Sequence, residues 1–472
     1  MKPLPNFKRW PFRRLLERLE NPLAPIIVIR GPRQIGKTTL QQQIIETLLS
    51  EGIAPARILR VQFDDLRSFS TREVGEEPIL RLVEWFAKAV LEGDLNKAAR
   101  EGRPAYLFLD EVQNVPNWDV QLKTLVDHVD VRVLVTGSSA LRIEQGRDSL
   151  AGRIHTIEVG PLRLREIAAL RGLGELRPAQ VDNGWSDWLS IDFWRSVHDL
   201  GVSQKQIRDA AFSAFSERGA YPVAHQLPQV EWSVLADQLN ESVVRRVIQH
   251  DLRIGERGRK RDQTLLEEVF RMACRWLGQA PNPAHLADEA QRALRANVGV
   301  QRIRHYLQFL DSSLLVRTIQ PLEIRLKRRK GYLKFVLCDH AIRAAWLQEQ
   351  IPLAPDQLDS APHLADLAGR LAESAAGYFF ASLTGLDVAY LPESNSGPEV
   401  DFVLVIGDKR LPVEVKYQRR IDPLRDTLGL RAFIEKAVNN APMGILITRD
   451  DQASVVDPRI VCIPLSTLLM VR

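Results

Sequence analysis

Residues 26–41 read Ile-Ile-Val-Ile-Arg-Gly-Pro-Arg-Gln-Ile-Gly-Lys-Thr-Thr-Leu-Gln. An apolar, β-branched run enters a loop bounded by Gly31 and Gly36, and the loop runs straight into helix-forming residues. Few folds accept that order. A strand, a glycine loop and a helix are one unit of a parallel α/β sheet. The loop fits GxxxxGK[ST], and its glycines let backbone N–H groups turn inward around phosphates at a helix N-terminus. Gly31, Pro32, Arg33, Gln34, Ile35, Gly36, Lys37, Thr38 and Thr39 are therefore the candidate ATP contacts. Lys37 is suited to the β- and γ-phosphates and Thr38 to Mg²⁺.

The following residues supply what such a loop needs. Tyr106-Leu107-Phe108-Leu109-Asp110-Glu111 is an apolar strand ending in two acids. Asp110 is the candidate for the Mg²⁺ shell and Glu111 for the base that polarises water. Val133-Leu134-Val135-Thr136 ends the next apolar run, and Thr136 or Ser138 is the candidate sensor of the γ-phosphate. Arg153, with Arg147 and Arg142 behind it, is the candidate arginine supplied across a subunit boundary. Strands are also expected at Ile26–Ile29, Ile58–Phe63 and Ile154–Glu158, with crossover helices between them.

The segments GPRQIGKTTL, FLDEVQNVPNWDVQLKTLVDH, VTGSSALRI and LAGRIHTIEVGPLRLREI resemble the prokaryotic AAA-type ATPases that carry a C-terminal PD-(D/E)xK, or restriction-endonuclease-like, domain. The resemblance runs over nearly the whole chain and is weakest over residues 170–215. It implies an additional-strand P-loop core in which Lys37, Thr38, Asp110 and Glu111 take the roles given above.

With 472 residues the chain has room for about three domains. The expected fold class is α/β and multidomain. A parallel-sheet ATPase core over 1–165 is followed by a helical lid over 166–240 that packs Trp185, Trp188 and Trp194. A basic helical segment and winged helix-turn-helix over 241–350, a proline-rich linker over 351–365 and a nuclease-like α/β domain over 366–472 complete the plan. The charge of +5 is mild for this length and is compatible with nucleic acid without arguing for it. Cys274, Cys338 and Cys462 are too few and too scattered for a disulfide framework or a CxxC metal pair. With no run of about 18 apolar residues and no apolar core in the N-terminal segment, a cytoplasmic protein without a membrane partner is expected.

The winged helix is read from helical patterns near 264–277, 283–287 and 301–310, then two short strands around a basic tip. Gln301, Arg302, Arg304 and His305 are the candidate groove contacts, and Arg325, Lys327, Arg328, Arg329 and Lys330 the candidate phosphate contacts. At the C-terminus, period-two alternation puts Glu414 and Lys416 on one face of a strand, and a hairpin can bring Asp401 beside them. Glu373 lies on a helix upstream. Glu, Asp and Glu-x-Lys resemble the PD-(D/E)xK core, in which Asp401 and Glu414 hold Mg²⁺ or Mn²⁺ and Lys416 orients the attacking water. Three functions are open at this point. One is an oligomeric, possibly hexameric, DNA-processing motor acting on duplex or junction DNA. The second is a nucleotide-dependent switch or scaffold with an inert C-terminal domain. The third is an ATP-licensed, metal-dependent nuclease.

Overall fold

In the computed structural model the run Ile26–Arg30 is a strand, β1, with its first four residues buried. The structure describes residues 4–63, 77–137, 149–181, 184–248, 262–323, 331–393 and 397–472. Beside β1 lie β4 (Val131–Gly137) on one side and β5 (Ile154–Glu158) on the other, with β3 (Ala105–Asp110) and then β2 (Ile58–Gln62) beyond β4. Every pairing is parallel. The five expected strands are all present, displaced by no more than a residue or two. All of β3 is buried, which is why it reads as a continuous apolar run and not an alternating one. Helices Pro78–Ala89 and Trp118–His128 cover one face, where Val83, Phe86, Trp118 and Leu122 pack on Leu107, Leu109 and Val133.

The chain separates into two compact units, residues 1–160 and 161–472. The second unit holds a mixed sheet. Its order is β12 (Ile460–Pro464), β11 (Gly444–Thr448), β10 (Lys409–Lys416), β9 (Val400–Ile406), β8 (Asp387–Leu391), β6 (Val316–Pro321) and β7 (Lys334–Leu337), among the described residues. The helix Ala365–Ala381 packs on it.

This unit revises the expected boundaries. The segment read as a lid is bound into the C-terminal sheet layer. Arg208, on the helix Lys205–Arg218, donates to both carboxylate oxygens of Asp451 at 2.7 and 2.8 Å and to Thr467 Oγ1 at 2.8 Å. Trp188 meets Trp194 edge-on at 5.1 Å and Phe380 at 6.3 Å, so the tryptophans pack on the helix Ala365–Ala381. The segment read as a linker is also packed. Two of its three prolines start short helices, at Pro355–Asp359 and Pro362–Leu364, and Ile351, Leu353 and Leu358 are buried. The Ser216 hydroxyl accepts from the backbone N–H of Leu353 and Ala354 at 2.7 and 2.9 Å.

The helices Gln263–Arg275, Pro283–Leu294 and Val300–Ser312 and the antiparallel pair β6–β7 follow in the order expected of a winged helix. The pair is not free-standing, however. β6 continues alongside β8 through Gln320 opposite Ala389 and Pro321 opposite Tyr390. The basic residues 324–330 lie outside the described residues, as do Ser138, Arg142 and Arg147 and most of the basic stretch 245–261. No helix among the described residues is long and apolar enough to cross a membrane.

Candidate functional site

The loop after β1 is shaped by its glycines. Gly36 takes φ +88°, in the left-handed region, just before the helix Lys37–Ser50 begins. Gly31 is excluded from carrying a side chain for a different reason: a Cβ there would overlap the Val159 carbonyl oxygen and fall 2.9 Å from Ile35 Cδ1. Gln34, with φ +63°, completes the turn. Lys37 is 6 % exposed, and its ammonium donates to the carbonyls of Gly31 at 2.9 Å and Pro32 at 2.7 Å, so it lies across the mouth of the loop.

Two neighbouring strand ends meet the loop that follows β1. Thr38 Oγ1 donates to Asp110 Oδ2 at 2.9 Å, which ties the first turn of the helix to the end of β3. The Thr136 hydroxyl, at the end of β4, donates to Asp110 Oδ1. The same hydroxyl oxygen accepts from the backbone N–H of Glu111 at 3.3 Å. Asp110 is 1 % exposed, and each of its oxygens accepts from a hydroxyl. Glu111 takes φ +53°, an uncommon conformation for a residue with a side chain, and this turn carries the chain out of the strand at the site. Lys37, Thr38, Asp110, Glu111 and Thr136 are thus brought together at the C-terminal edge of one parallel sheet.

Arg153 is not brought there. Its backbone carbonyl accepts from Ile26 N, at the start of β1, while the loop follows the end of that strand. Five residues of strand separate the two edges, about 16 Å. Arg153 makes a two-point pair with Asp127 at 2.6 and 3.0 Å. The arginine holds the Asp127 carboxyl below its ordinary value through that hydrogen bond.

Three partners had no sequence signal. Arg60 on β2 reaches Asp110 at 3.5 Å, the Gln113 side-chain amide donates to the Glu111 carboxylate, and Arg9 donates to Ile35 O at 2.6 Å behind the loop. The contacts of Arg60 and Arg9 depend on a register or an approach that no local spacing announces.

The C-terminal residues also assemble. β9 and β10 form the expected hairpin, with Phe402 opposite Val413. Val415 N donates to Asp401 Oδ2 at 2.8 Å, and the Lys416 ammonium donates to Glu414 Oε1 at 2.6 Å. The helix Ala365–Ala381 brings Glu373 to the same place. Burial and then the Asp401 carboxylate push the Glu373 and Glu414 carboxyls up, against the lysine beside each. The residue missed here is Lys334 of β7, which stands among these acids. On the helix Val300–Ser312, Gln301, Arg302, Arg304 and His305 are all exposed, as the groove-facing reading requires, and Arg302 pairs with Asp262 at 3.3 Å.

Residues 23–168 match the family described as AAA domain. Residues 23–168 carry an AAA-type P-loop fold. Residues 210–351 match a second family, described as Domain of unknown function (DUF8612). An uncharacterized protein of Haemophilus influenzae is 23% identical over 325 residues, covering 67% of this chain and 68% of that one. An uncharacterized protein of Methanocaldococcus jannaschii is 29% identical over 148 residues, which is 31% of this chain and 28% of that one. Among solved structures, Cdc6p from Pyrobaculum aerophilum is 15% identical, covering 74% of this chain and 94% of its own, with a TM-score of 0.26. Domain III of the Thermotoga maritima replication initiation protein DnaA is 13% identical, covering 51% of this chain and 99% of its own, with a TM-score of 0.25. TM-scores this low do not extend the likeness to the whole chain.

Proposed function

We propose that this protein binds ATP with Mg²⁺ at residues 31–39, hydrolyses it, and uses the cycle to act on duplex or branched DNA as a homo-oligomer, up to a hexamer. One observation carries the nucleotide reading: Thr38, Asp110, Thr136 and Glu111 are linked by hydrogen bonds at the mouth of a phosphate-binding loop. The hydroxyl and carboxylate oxygens of Thr38 and Asp110 are hard donors that fit Mg²⁺, which neutralises phosphate charge when bound. Lys37 binds the β- and γ-phosphates. Glu111 orients the attacking water and takes its proton. Thr136 fixes the Asp110 carboxylate and so couples the sensor strand to the site. Arg153, at the opposite sheet edge, serves a neighbouring chain's site in this reading.

The DNA part rests on the exposed row Gln301, Arg302, Arg304 and His305, and on the basic composition of Arg325, Lys327, Arg328, Arg329 and Lys330. A nucleotide-dependent switch with an inert C-terminal domain is the second reading, and the lysine among the C-terminal carboxylates favours it. The test is phosphate release with and without duplex, single-stranded and four-way junction DNA, at low salt and at roughly 200 mM. Stimulation by duplex or junction DNA that fades with salt is expected of the motor. ATP turnover that no DNA alters would leave the switch.

A further inference from the structure

We propose that the C-terminal carboxylate cluster is a cation site already filled by the protein's own Lys334, so this domain does not act as a metal-dependent nuclease. The proposal does not depend on the ATPase reading.

The Lys334 ammonium lies 2.8 Å from Glu373 Oε1, 3.0 Å from Glu399 Oε1 and 3.6 Å from Asp401 Oδ1, and 3.3 Å from the Asp401 carbonyl oxygen. Four oxygens, three from the start of β9 and one from the helix Ala365–Ala381, converge on a single nitrogen. The side chain is 1 % exposed. A buried ammonium persists only where opposing charge surrounds it, because burial alone disfavours the charged form. Here three carboxylates, Glu373, Glu399 and Asp401, surround the ammonium.

The surroundings close the place further. The Tyr390 and Phe402 rings flank the ammonium, each with its centre 5.3 Å away. Their π-faces attract a cation and keep water out. Behind Glu373 the backbone approaches so closely that a Cβ on Gly278 would fall 2.7 Å from Glu373 Oε2. Mg²⁺ and Mn²⁺ need several carboxylate or water oxygens at short range. Glu373 and Asp401 already spend oxygens on the lysine, and a divalent ion bound to those same atoms would stand against a fixed positive charge.

The metal centre expected from Asp401 and Glu414 therefore does not fit this arrangement, although all four expected side chains are present. Glu414 has a second cation of its own, Lys416. The acids and lysines together form a charge network that is buried at Lys334 and Glu414 and opens to solvent at Glu399 and Lys416. It joins β7, β9 and β10 to the helix Ala365–Ala381.

The experiment is a Mn²⁺ titration of the full chain without nucleotide, followed by calorimetry and by the shift in unfolding temperature. Wild type, Lys334→Gln, Lys334→Met and each of these with Asp401→Asn are compared. Wild type is expected to show no Asp401-dependent binding and no cleavage of plasmid DNA in Mn²⁺. Removing the ammonium should create a site with a dissociation constant of about a millimolar or tighter, which Asp401→Asn abolishes. Asp401-dependent Mn²⁺ binding by wild type, or cleavage lost on Lys416→Ala, overturns the proposal. Absence of binding in folded Lys334 variants also overturns it, since the carboxylates would then not be a cation site. Should neither variant fold, the wild-type titration and cleavage assay decide, because Asp401-dependent binding or cleavage overturns the proposal and absence of both supports it.

Discussion

Alanine at Gly31 and alanine at Gly36 should harm the loop for different reasons and by different amounts. At Gly36 a Cβ meets nothing within 4 Å, and the only cost is holding a side-chain residue at φ +88°. That is about 1–2 kcal/mol. At Gly31 the Cβ overlaps the Val159 carbonyl and crowds Ile35. Val159 cannot simply retreat, because its N–H donates to Arg30 O at 2.8 Å at the end of β1. Relief must shift the backbone where β1 and β5 lead into the site, which puts the cost at the upper end of overpacking, about 3 kcal/mol. For a unit of this size 1 kcal/mol moves the midpoint by roughly 3 °C. Thermal unfolding without nucleotide should therefore fall by about 9 °C for Gly31→Ala and about 4 °C for Gly36→Ala. Equal shifts, or a larger loss at Gly36, would refute the assignment of Gly31 to close packing against Val159.

Three further outcomes are expected. Arg208→Ala should destabilise the unit 161–472 by about 3 kcal/mol, the low end for breaking a buried pair because Asp451 keeps Lys205, and should leave nucleotide affinity unchanged; an unaltered denaturation midpoint for that unit would return the helix Lys205–Arg218 to a lid role. Burial lowers the His225 imidazole to about 4, against its ordinary 6.5, while its Nε2 bonds Gly219 O at 2.8 Å. The unfolded chain thus binds the extra proton first, so stability is full above pH 6.5 and falls by about 3 kcal/mol between there and pH 4; His225→Gln should flatten that part of the profile, and an unchanged slope would contradict it. Mixing Arg153→Ala with Glu111→Gln chains should restore part of the activity each lacks alone, and no recovery at any ratio would remove Arg153 from the neighbouring site.

Much of the first unit was legible because its central strands, β1, β3 and β4, are buried on both faces. Ile26–Arg30, Ala105–Asp110 and Val131–Gly137 stand out as apolar runs, and the polar residues at the ends of the last two, Asp110 and Thr136, mark the site edge. The hairpin of Asp401, Glu414 and Lys416 was legible through alternation. Lys334 was not. All four residues of β7 are buried, so no alternation distinguishes a lysine whose acids lie 39 to 67 positions away. The linker reading failed because prolines at the first turn of a helix leave the same local mark as prolines in an extended connection. Arg208 could not be placed from sequence, since its carboxylate partner is 243 residues on.

In the proposed function the loop, Asp110, Thr136 and Glu111 form one hydrolytic ATP site. The most direct measurement pairs ATP binding with phosphate release for wild type and Glu111→Gln. Binding within twofold of wild type and release slowed about 10²–10⁴-fold are predicted. Release by Glu111→Gln at the wild-type rate, or no ATP binding by wild type in Mg²⁺, would contradict it.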